Sequence, residues 1–371
     1  MKLHLVNDEK IINRTIDMFE EAFPGENLFV VTNRTKNFRI VKKQERVLSR
    51  TEFKQRQKEF QISEVYIHWL NNRKMEIVNQ LNLANITVYW IIWGLDLYNQ
   101  LLAPKGFHMI DKETSSYYKQ KHSGLKALEL PFRKWRQQTV ARKVARFIRE
   151  KVDYIVTDTT ENDYDYLIRY YPELKDKPWK DFFYYPLDVV LGNELMQSKT
   201  TGTNIAIGHS ASVTNNHEYI LQRLSKLNIG TRQVIVPLSY GVKKKYVEAV
   251  ISTGKKLLGE HFVPLREFMP LSEYNKLQTS INVALFANLR QEAIGNIIVY
   301  LYLGAKVFLP AGTPVYEWAQ GHGLTVFDLN KMTQQDIDIP LDEAQHQRNR
   351  EILSTLYNKD RMMKLIKALP E

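Results

Sequence analysis

Two kinds of apolar pattern alternate along this chain: short uninterrupted runs, and longer stretches in which apolar residues recur every three or four positions. The runs Lys2–Val6, Leu28–Thr32, Val65–Trp69, Ile86–Trp93 and Asp153–Thr157 read as strands, and Ile11–Ala22 and Asn71–Leu81 carry helical spacing between them. Runs without polar alternation belong to strands buried on both faces, so a parallel sheet covered by helices is expected. Ser198–Asn204 is small, polar and free of apolar periodicity, which marks it as a linker. The alternation then restarts. Asn204–Ser210 reads as a strand running into a Gly-containing turn, further strands are expected at Gln233–Pro237, near Phe262, Ile281–Ala287 and Ala305–Leu309, and helices at Asn216–Leu227, Lys243–Leu257, Leu271–Ser280 and Ala293–Leu303. The reading is an α/β protein with two Rossmann-like, doubly wound domains facing a central cleft. Its parts are residues 1–197, residues 198–342 and a helical tail, 343–371, that packs back on the first domain.

Within this pattern the segment Val88-Tyr-Trp-Ile-Ile-Trp-Gly-Leu-Asp-Leu-Tyr98 stands apart. A buried strand breaks at Gly94, and the carboxylate of Asp96 follows. A core strand that ends on Gly and then presents an acid brings a functional group to the carboxyl edge of a sheet. A plain core strand whose Asp caps the next helix is the alternative. Val65-Tyr-Ile-His68 ends another strand on a histidine, which is either a general base or a hydrogen-bonded structural residue.

Three strand ends in the second half carry polar groups. Gly208-His-Ser-Ala-Ser-Val-Thr-Asn-Asn-His217 places Gly208, Ser210 and Asn215 before a helix start, an arrangement suited to a diphosphate, although it is neither a Walker loop nor a G-x-G-x-x-G fingerprint. Val236-Pro-Leu-Ser-Tyr-Gly241 offers Tyr240 for stacking on a base or a sugar. Ala287-Asn-Leu-Arg-Gln-Glu-Ala-Ile-Gly295 offers Arg290 to clamp phosphate oxygens, Gln291 or Glu292 to hold hydroxyls, and a helix start at Ile294 and Gly295. Each also reads as an ordinary turn or cap. Metal-ligand spacing of the H-E-x-x-H kind and a serine nucleophile elbow are both missing, so no metal site is expected.

Composition narrows the class. At 371 residues, 44% hydrophobic and 11% aromatic, the chain is long and apolar enough for two folded domains, and without cysteine it has neither a disulfide framework nor thiolate chemistry. The first residues read as a strand and not as a signal peptide, and no run approaches the roughly 20 apolar residues that span a bilayer. The net charge of +11 is concentrated: eleven Lys and Arg against two Glu between Tyr117 and Lys151. Val140, Val144, Phe147 and Ile148 follow helical spacing there, with the cations largely off that face. Lys126, Arg133, Lys134, Trp135, Arg136, Arg142, Lys143 and Arg146 are thereby candidates for contact with an anionic membrane surface. A nucleic-acid contact or a solvated helix packed on a core would leave the same pattern, but the cations lie in one domain and no nucleic-acid motif accompanies them.

The segment Trp90-Ile-Ile-Trp-Gly-Leu-Asp-Leu-Tyr98 resembles the Trp-His-Ile-Trp-Gly-x-Asp-Leu-Tyr segment of the glycosyltransferase family 56 enzymes, the bacterial Fuc4NAc transferases of enterobacterial common antigen assembly. The likeness recurs in order along nearly the whole chain. His68 falls on the family's strand-end His, Ser123-Gly-Leu125 and the basic stretch after it are similar, and Tyr185-Pro186 matches a Phe/Tyr-Pro pair. Gly208, Ser210, Asn215 and His217 match Gly-Asn-Ser-x4-Asn-x-His, Val236-Pro237 with Tyr240 matches Val-Pro-x-Gly-Tyr with a shift of one position, and Arg290-Gln291 with Ile294-Gly295 matches Arg-Gln-x-x-Ile-Gly. Ile91 stands where the family has His, His209 where it has Asn, Ser212-Val213 where it has Asp-Arg, and Glu292 where it has Gln.

The resemblance implies a GT-B-like fold and a metal-independent hexosyltransferase without a cofactor. The donor is a nucleotide-diphosphate sugar, dTDP-linked, bound by the second domain. The acceptor is a polyprenyl-diphosphate-linked saccharide reached from the first. On this reading Asp96 and His68 orient the acceptor or remove its proton, Trp93 and Gly94 line the acceptor side, and the enzyme lies on the cytoplasmic face of the inner membrane. A nucleotide-sugar epimerase or phosphorylase on the same scaffold, or a basic nucleic-acid-binding protein, are the other expectations.

Overall fold

The computed structural model describes residues 1–33, 37–42, 46–120, 130–240 and 244–371; of 117–120, 130–133 and 271 it describes the backbone alone. The described residues form two compact units, the first from Met1–Phe107, Pro131–Pro186 and Lys359–Glu371, the second from His108–Leu130 and Leu187–Asn358.

In the first unit the strands are β1 (Lys2–Val6), β2 (Asn27–Val31), β3 (Val47–Ser49), β4 (Glu64–His68), β5 (Thr87–Ile91), β6 (Tyr154–Asp158) and β7 (Trp179–Phe182). All pair in parallel, in the order β3-β2-β1-β4-β5-β6-β7. Every residue of β1 and β2 is buried, as expected of strands covered on both faces. The edge strands β3 and β7 escape the sequence reading because they are short and half polar (Val47-Leu-Ser49 and Trp179-Lys-Asp-Phe182). Strand order reverses between β1 and β4. Connections leave that point toward opposite faces, so a crevice opens beyond the carboxyl ends of these two neighbours.

One face of the sheet carries a ladder of rings in cross-strand register. Phe29 stacks on His4 (4.6 Å), His4 on Tyr66 (4.8 Å), Tyr66 on Tyr89 (4.7 Å) and Tyr89 on Tyr154 (5.2 Å). Each partner comes from the adjacent strand at the paired position. Phe19, from the helix Ile12–Ala22, packs over His4 at 4.4 Å. Pairs of this kind add about 0.5–1.5 kcal/mol each beyond area burial.

The basic helix runs over Leu130–Lys151. Ala141, Val144, Phe147 and Ile148 are buried, while Lys134, Arg136, Arg142, Lys143, Arg146 and Arg149 are exposed and Trp135 is 56% exposed. Lys126 and Ser123-Gly-Leu125 lie outside the described residues, as does the Arg133 side chain. The helix Lys359–Lys367 joins this unit through Arg361–Asp181 (2.6 Å) and Lys359–Glu21 (2.7 Å).

The second unit contains β8 (Asn204–Ile207), β9 (Val234–Pro237), β10 (Phe262–Leu265), β11 (Ile281–Leu285), β12 (Lys306–Leu309) and β13 (Phe327–Asp328), again all parallel, in the order β10-β9-β8-β11-β12-β13. Ile205, Ile207, Val234, Val236, Val283 and Leu285 form the core with Ile220, Leu221 and Leu224 of the helix His217–Leu224. The strand order reverses between β8 and β11. The unit takes in His108–Leu130 from the expected first domain, and its main segment begins at Leu187 rather than at 198, because the helix Leu187–Met196 is tied to the helix Glu343–Leu356: Arg350 donates to the carbonyls of Met196 (3.0 Å) and Ser198 (3.2 Å), and the Leu187 N–H to that of Tyr357 (2.6 Å). Of the expected tail, therefore, only Lys359–Glu371 goes with the first unit. Among the described residues no helix is long and apolar enough to cross a membrane.

Candidate functional site

In the second unit the loops after β8 and β11 meet at the strand-order reversal. β8 ends in Gly208 at φ +64, and a Cβ there would sit 2.7 Å from Asn215 Oδ1 and 3.1 Å from His217 Nε2. Only glycine tolerates that approach. Asn215 then locks the loop. Its Oδ1 accepts the His209 N–H (3.0 Å), and its amide donates to Ser210 Oγ (3.2 Å) and the Ser212 carbonyl (3.3 Å).

From the β11 side come Asn288, Arg290 and Glu292. The Glu292 carboxylate accepts from Thr214 Oγ1 (2.6 Å) and Asn288 Nδ2 (3.1 Å) on one oxygen and from Arg290 Nη2 (3.1 Å) on the other. It is thereby engaged in holding Arg290 and the β8 loop, and Gln291 beside it is half-buried. Arg290 is 7% exposed, and its Nη1 donates to the Gln291 carbonyl (3.2 Å). Ala293 adopts φ +66, a left-handed conformation that costs a non-glycine residue about 1–3 kcal/mol. It starts the helix Ile294–Leu303 without a side-chain cap, so the first N–H groups point outward unpaired by the chain's own side chains. Ile294 is buried, whereas Gly295 is exposed and has open space where a Cβ would stand. Tyr240, at the end of β9, is 57% exposed, and its carbonyl accepts the Ala211 N–H at 2.6 Å.

Four buried polar atoms here have no hydrogen-bond partner among the described residues: His209 Nδ1, His217 Nε2, Asn288 Oδ1 and Arg290 Nε. His217 is fully buried, and burial lowers its pKa to about 3, so it is neutral. Nδ1 of the same ring pairs with Tyr246 Oη at 2.7 Å. Buried groups left unpaired are rare, and four at one sheet edge call for an explanation.

The first unit shows a different edge. Asp96 is 1% exposed and lies in the π-helix Leu95–Leu102, just after Gly94 at φ +82. One carboxylate oxygen accepts from Trp90 Nε1 (2.8 Å) and the Leu70 N–H (2.9 Å), the other from the Trp93 (3.0 Å) and Leu97 (3.2 Å) N–H groups. A carboxylate has about four lone-pair positions, and these donors occupy them. Asp96 thus ties the ends of β4 and β5 to the π-helix and has no lone pair left for a substrate proton.

His68 is likewise fully buried with both nitrogens engaged. It pairs with Tyr184 Oη at 2.5 Å and with His4 Nδ1 at 3.1 Å. The direction of this chain follows from its end. The Asn27 amide donates to the carbonyls of Phe19 and Phe23 and to Glu20, so its Oδ1 faces His4 Nε2 and accepts from it. With both rings neutral, His68 Nε2–H donates to His4 Nδ1, Tyr184 O–H to His68 Nδ1, and Trp93 Nε1–H to Tyr184 at 2.8 Å. Burial lowers the pKa of His4 to about 3 and that of His68 well below the usual imidazole range, which agrees with the neutral assignment. The expected catalytic pair, Asp96 and His68, is the buried frame that fixes Trp93 and Gly94 at the edge, since neither offers an open proton site.

The groups that remain open were not singled out in the sequence. Glu9 stands three residues past β1, and its Oε1 is buried without a partner among the described residues, as is Trp69 Nε1 just past β4. Trp69 itself is held at φ +63. Lys74 is fully buried, donates to the carbonyls of His68 and Trp69, and is brought by burial to a pKa of about 7 despite attraction from Glu9 and Asp96. Asp158, the last residue of β6, is raised by burial to about 7 and accepts from the Thr159 hydroxyl at 2.8 Å. The signal for Glu9 was present in Asn7-Asp8-Glu9, which follows a buried strand as Asp96 does. The Asp-x-Asp triplets Asp163-Tyr-Asp165 and Asp336-Ile-Asp338 lie inside helices, where Asp163 accepts from Tyr98 (2.5 Å) and Asp336 caps Thr333.

Two doubly wound parallel sheets in one chain are the architecture of the GT-B class. Solved structures share the fold at low sequence identity. The Anabaena HepE protein, solved in complex with UDP-glucose, is 10% identical at a TM-score of 0.65, covering 99% of this chain and 98% of that one. A sucrose-phosphate synthase from Thermosynechococcus elongatus is 11% identical at 0.63, covering 100% and 98%. A glycosyltransferase from Rickettsia africae is 11% identical at 0.64, covering 98% and 95%. The model of the 4-alpha-L-fucosyltransferase family, glycosyl transferase group 56, matches residues 133–351, and the chain belongs to that family.

Proposed function

We propose that this glycosyltransferase moves a deoxy-amino sugar of the Fuc4NAc kind, or a related hexose, from a dTDP-linked donor to a polyprenyl-diphosphate-linked saccharide. The observation that carries the donor half is the set of four unpartnered buried polar atoms at the β8/β11 reversal, beside Arg290 and an uncapped helix start. A diphosphate suits the donors of such a place: it accepts from the guanidinium and the helix N–H groups and gains from the helix dipole, while Asn288 Oδ1, an acceptor, suits a hydroxyl of the donor. As the sugar departs, charge grows on that diphosphate, and fixed donors aimed at it lower the barrier without reorganising. HepE was solved with UDP-glucose, which supports a nucleotide sugar as the donor class.

The acceptor belongs with the first unit, whose carboxyl edge carries Glu9 past β1, Trp69 past β4, and Trp93 past β5, the last bonded to Asp96 and Tyr184. The exposed cations Lys134, Arg136, Arg142, Lys143 and Arg146 hold the protein on anionic lipid at the inner face of the membrane, where such an acceptor resides. The test is mass spectrometry of lipid products formed from a panel of nucleotide sugars. A lipid-linked saccharide heavier by one deoxy-amino hexose residue is expected. Donor turnover that proceeds equally well without any lipid acceptor would instead identify a nucleotide-sugar epimerase or phosphorylase.

A further inference from the structure

We propose that Glu9 is the base that removes the proton of the acceptor hydroxyl. The inference rests on the reading of the first unit as the acceptor side. Leu5 and Ile67 are paired neighbours, so the chain leaves β1 and β4 side by side at the point where strand order reverses. In an open parallel sheet that is where a ligand lies. Among the described residues, two orphaned polar atoms flank it, Glu9 Oε1 beyond β1 and Trp69 Nε1 beyond β4, while a third, Thr160 Oγ1, stands farther off beyond β6. One is an acceptor and the other a donor, the pair a hydroxyl needs to be held and then deprotonated. Of the other acids of the edge, Asp96 accepts from four donors, Asp8 accepts from the N–H groups of Arg39, Ile40 and Val41, and Asp158 ends β6, two strands away from the reversal.

The step balances within the reactants. The acceptor O–H bond breaks, and its proton passes to the Glu9 carboxylate. The freed oxygen pair forms the new bond to the sugar C1, and the C1–O bond to the diphosphate breaks, its electron pair leaving on the diphosphate. This is a single displacement with inversion at C1. The groups facing Glu9 favour the part: the Lys74 ammonium and the Asn7 side chain steady the charged form, while burial and Asp8 oppose it and set the carboxyl above its ordinary range. Tyr184 and Tyr185 also feel its charge. A carboxyl raised in this way is a stronger base once ionised.

The experiment compares Glu9→Gln, Glu9→Asp and Asp158→Asn with the unaltered protein, using the donor and lipid acceptor identified by the product panel. Glu9→Gln is expected to lower kcat about 100- to 10,000-fold. Binding of UDP or dTDP by calorimetry and the thermal midpoint should stay close to those of the parent. Its residual rate should lack the acid limb of the kcat profile, Glu9→Asp should restore part of the rate with that limb, and Asp158→Asn should keep it. Full transfer by Glu9→Gln, loss of the limb in Asp158→Asn, or retention of configuration at C1 would each overturn the proposal. Failure of the parent itself to make a lipid product would sink the reading of function, which separates the two outcomes.

Discussion

At the level of single residues, hydrogen-bond capacity decides what a titratable group does. Asp96 and His68 were legible in the sequence as polar groups at strand ends, and both lie where that reasoning puts them. Their role was not legible, because it depends on partners remote in the chain: Leu70 for the carboxylate, Asn27 and Tyr184 for the histidine chain. Glu9 follows a strand just as Asp96 does, but only the fold shows that its Oε1 finds no partner among the described residues. The buried histidines also set a pH dependence. His4 and His217 have folded pKa values of about 3, below the unfolded value near 6.5, so their contribution is fully present above pH 6.5 and is lost as the pH falls toward 3. His68 shifts in the same direction. Denaturant unfolding at stepped pH should show stability dropping by up to about 1.4 kcal/mol per pH unit per histidine below 6.5. A flat profile down to pH 4 would mean that these rings are charged in the folded protein.

Elements reveal what isolated positions conceal. The helix Ile294–Leu303 is apolar almost throughout and was legible as a buried helix, with Gly295 near its start. Glycine in a first turn is poor helix chemistry, worth up to about 1 kcal/mol against alanine. Here none of the described residues occupies the space of the missing Cβ. Packing therefore does not explain the glycine, whereas the proposed approach of a diphosphate to the helix N–H groups would. Gly295→Ala is accordingly expected to leave the thermal midpoint unchanged or raise it slightly, and to weaken donor binding about tenfold or more by calorimetry. Unaltered donor affinity would move the diphosphate away from this helix start. Gly208 is the opposite case, since a side chain there would strike Asn215 and His217. The edge strands β3 and β7 show what pattern reasoning misses: three or four half-polar residues carry too little periodicity to be told from a loop.

Across the whole molecule, the alternating pattern predicted two doubly wound units, and the two sheets share one order over six strands, with a reversal after the third strand in space and a seventh strand added to the first. The divisions between units were harder to read, because the helices Glu343–Leu356 and Lys359–Lys367 are consecutive yet belong to different units. Charge is likewise a property of the whole: the cations of the helix Leu130–Lys151 stand on its exposed side, opposite Val144, Phe147 and Ile148. Reversing Arg142, Lys143 and Arg146 to Glu should release the protein from vesicles rich in anionic lipid in a sedimentation assay, since each cation near such a surface contributes roughly 1 kcal/mol. Undiminished sedimentation would assign the helix another partner. The ring ladder of the first sheet has an optical consequence as well. Tyr66, Tyr89 and Tyr154 are stacked nearly parallel at 4.7 and 5.2 Å on a twisted sheet, so their ultraviolet transitions couple in a fixed chiral order. The first unit thus carries an intrinsic circular-dichroism signature in the tyrosine band, one that vanishes when its strands part and that lets its unfolding be followed without a label.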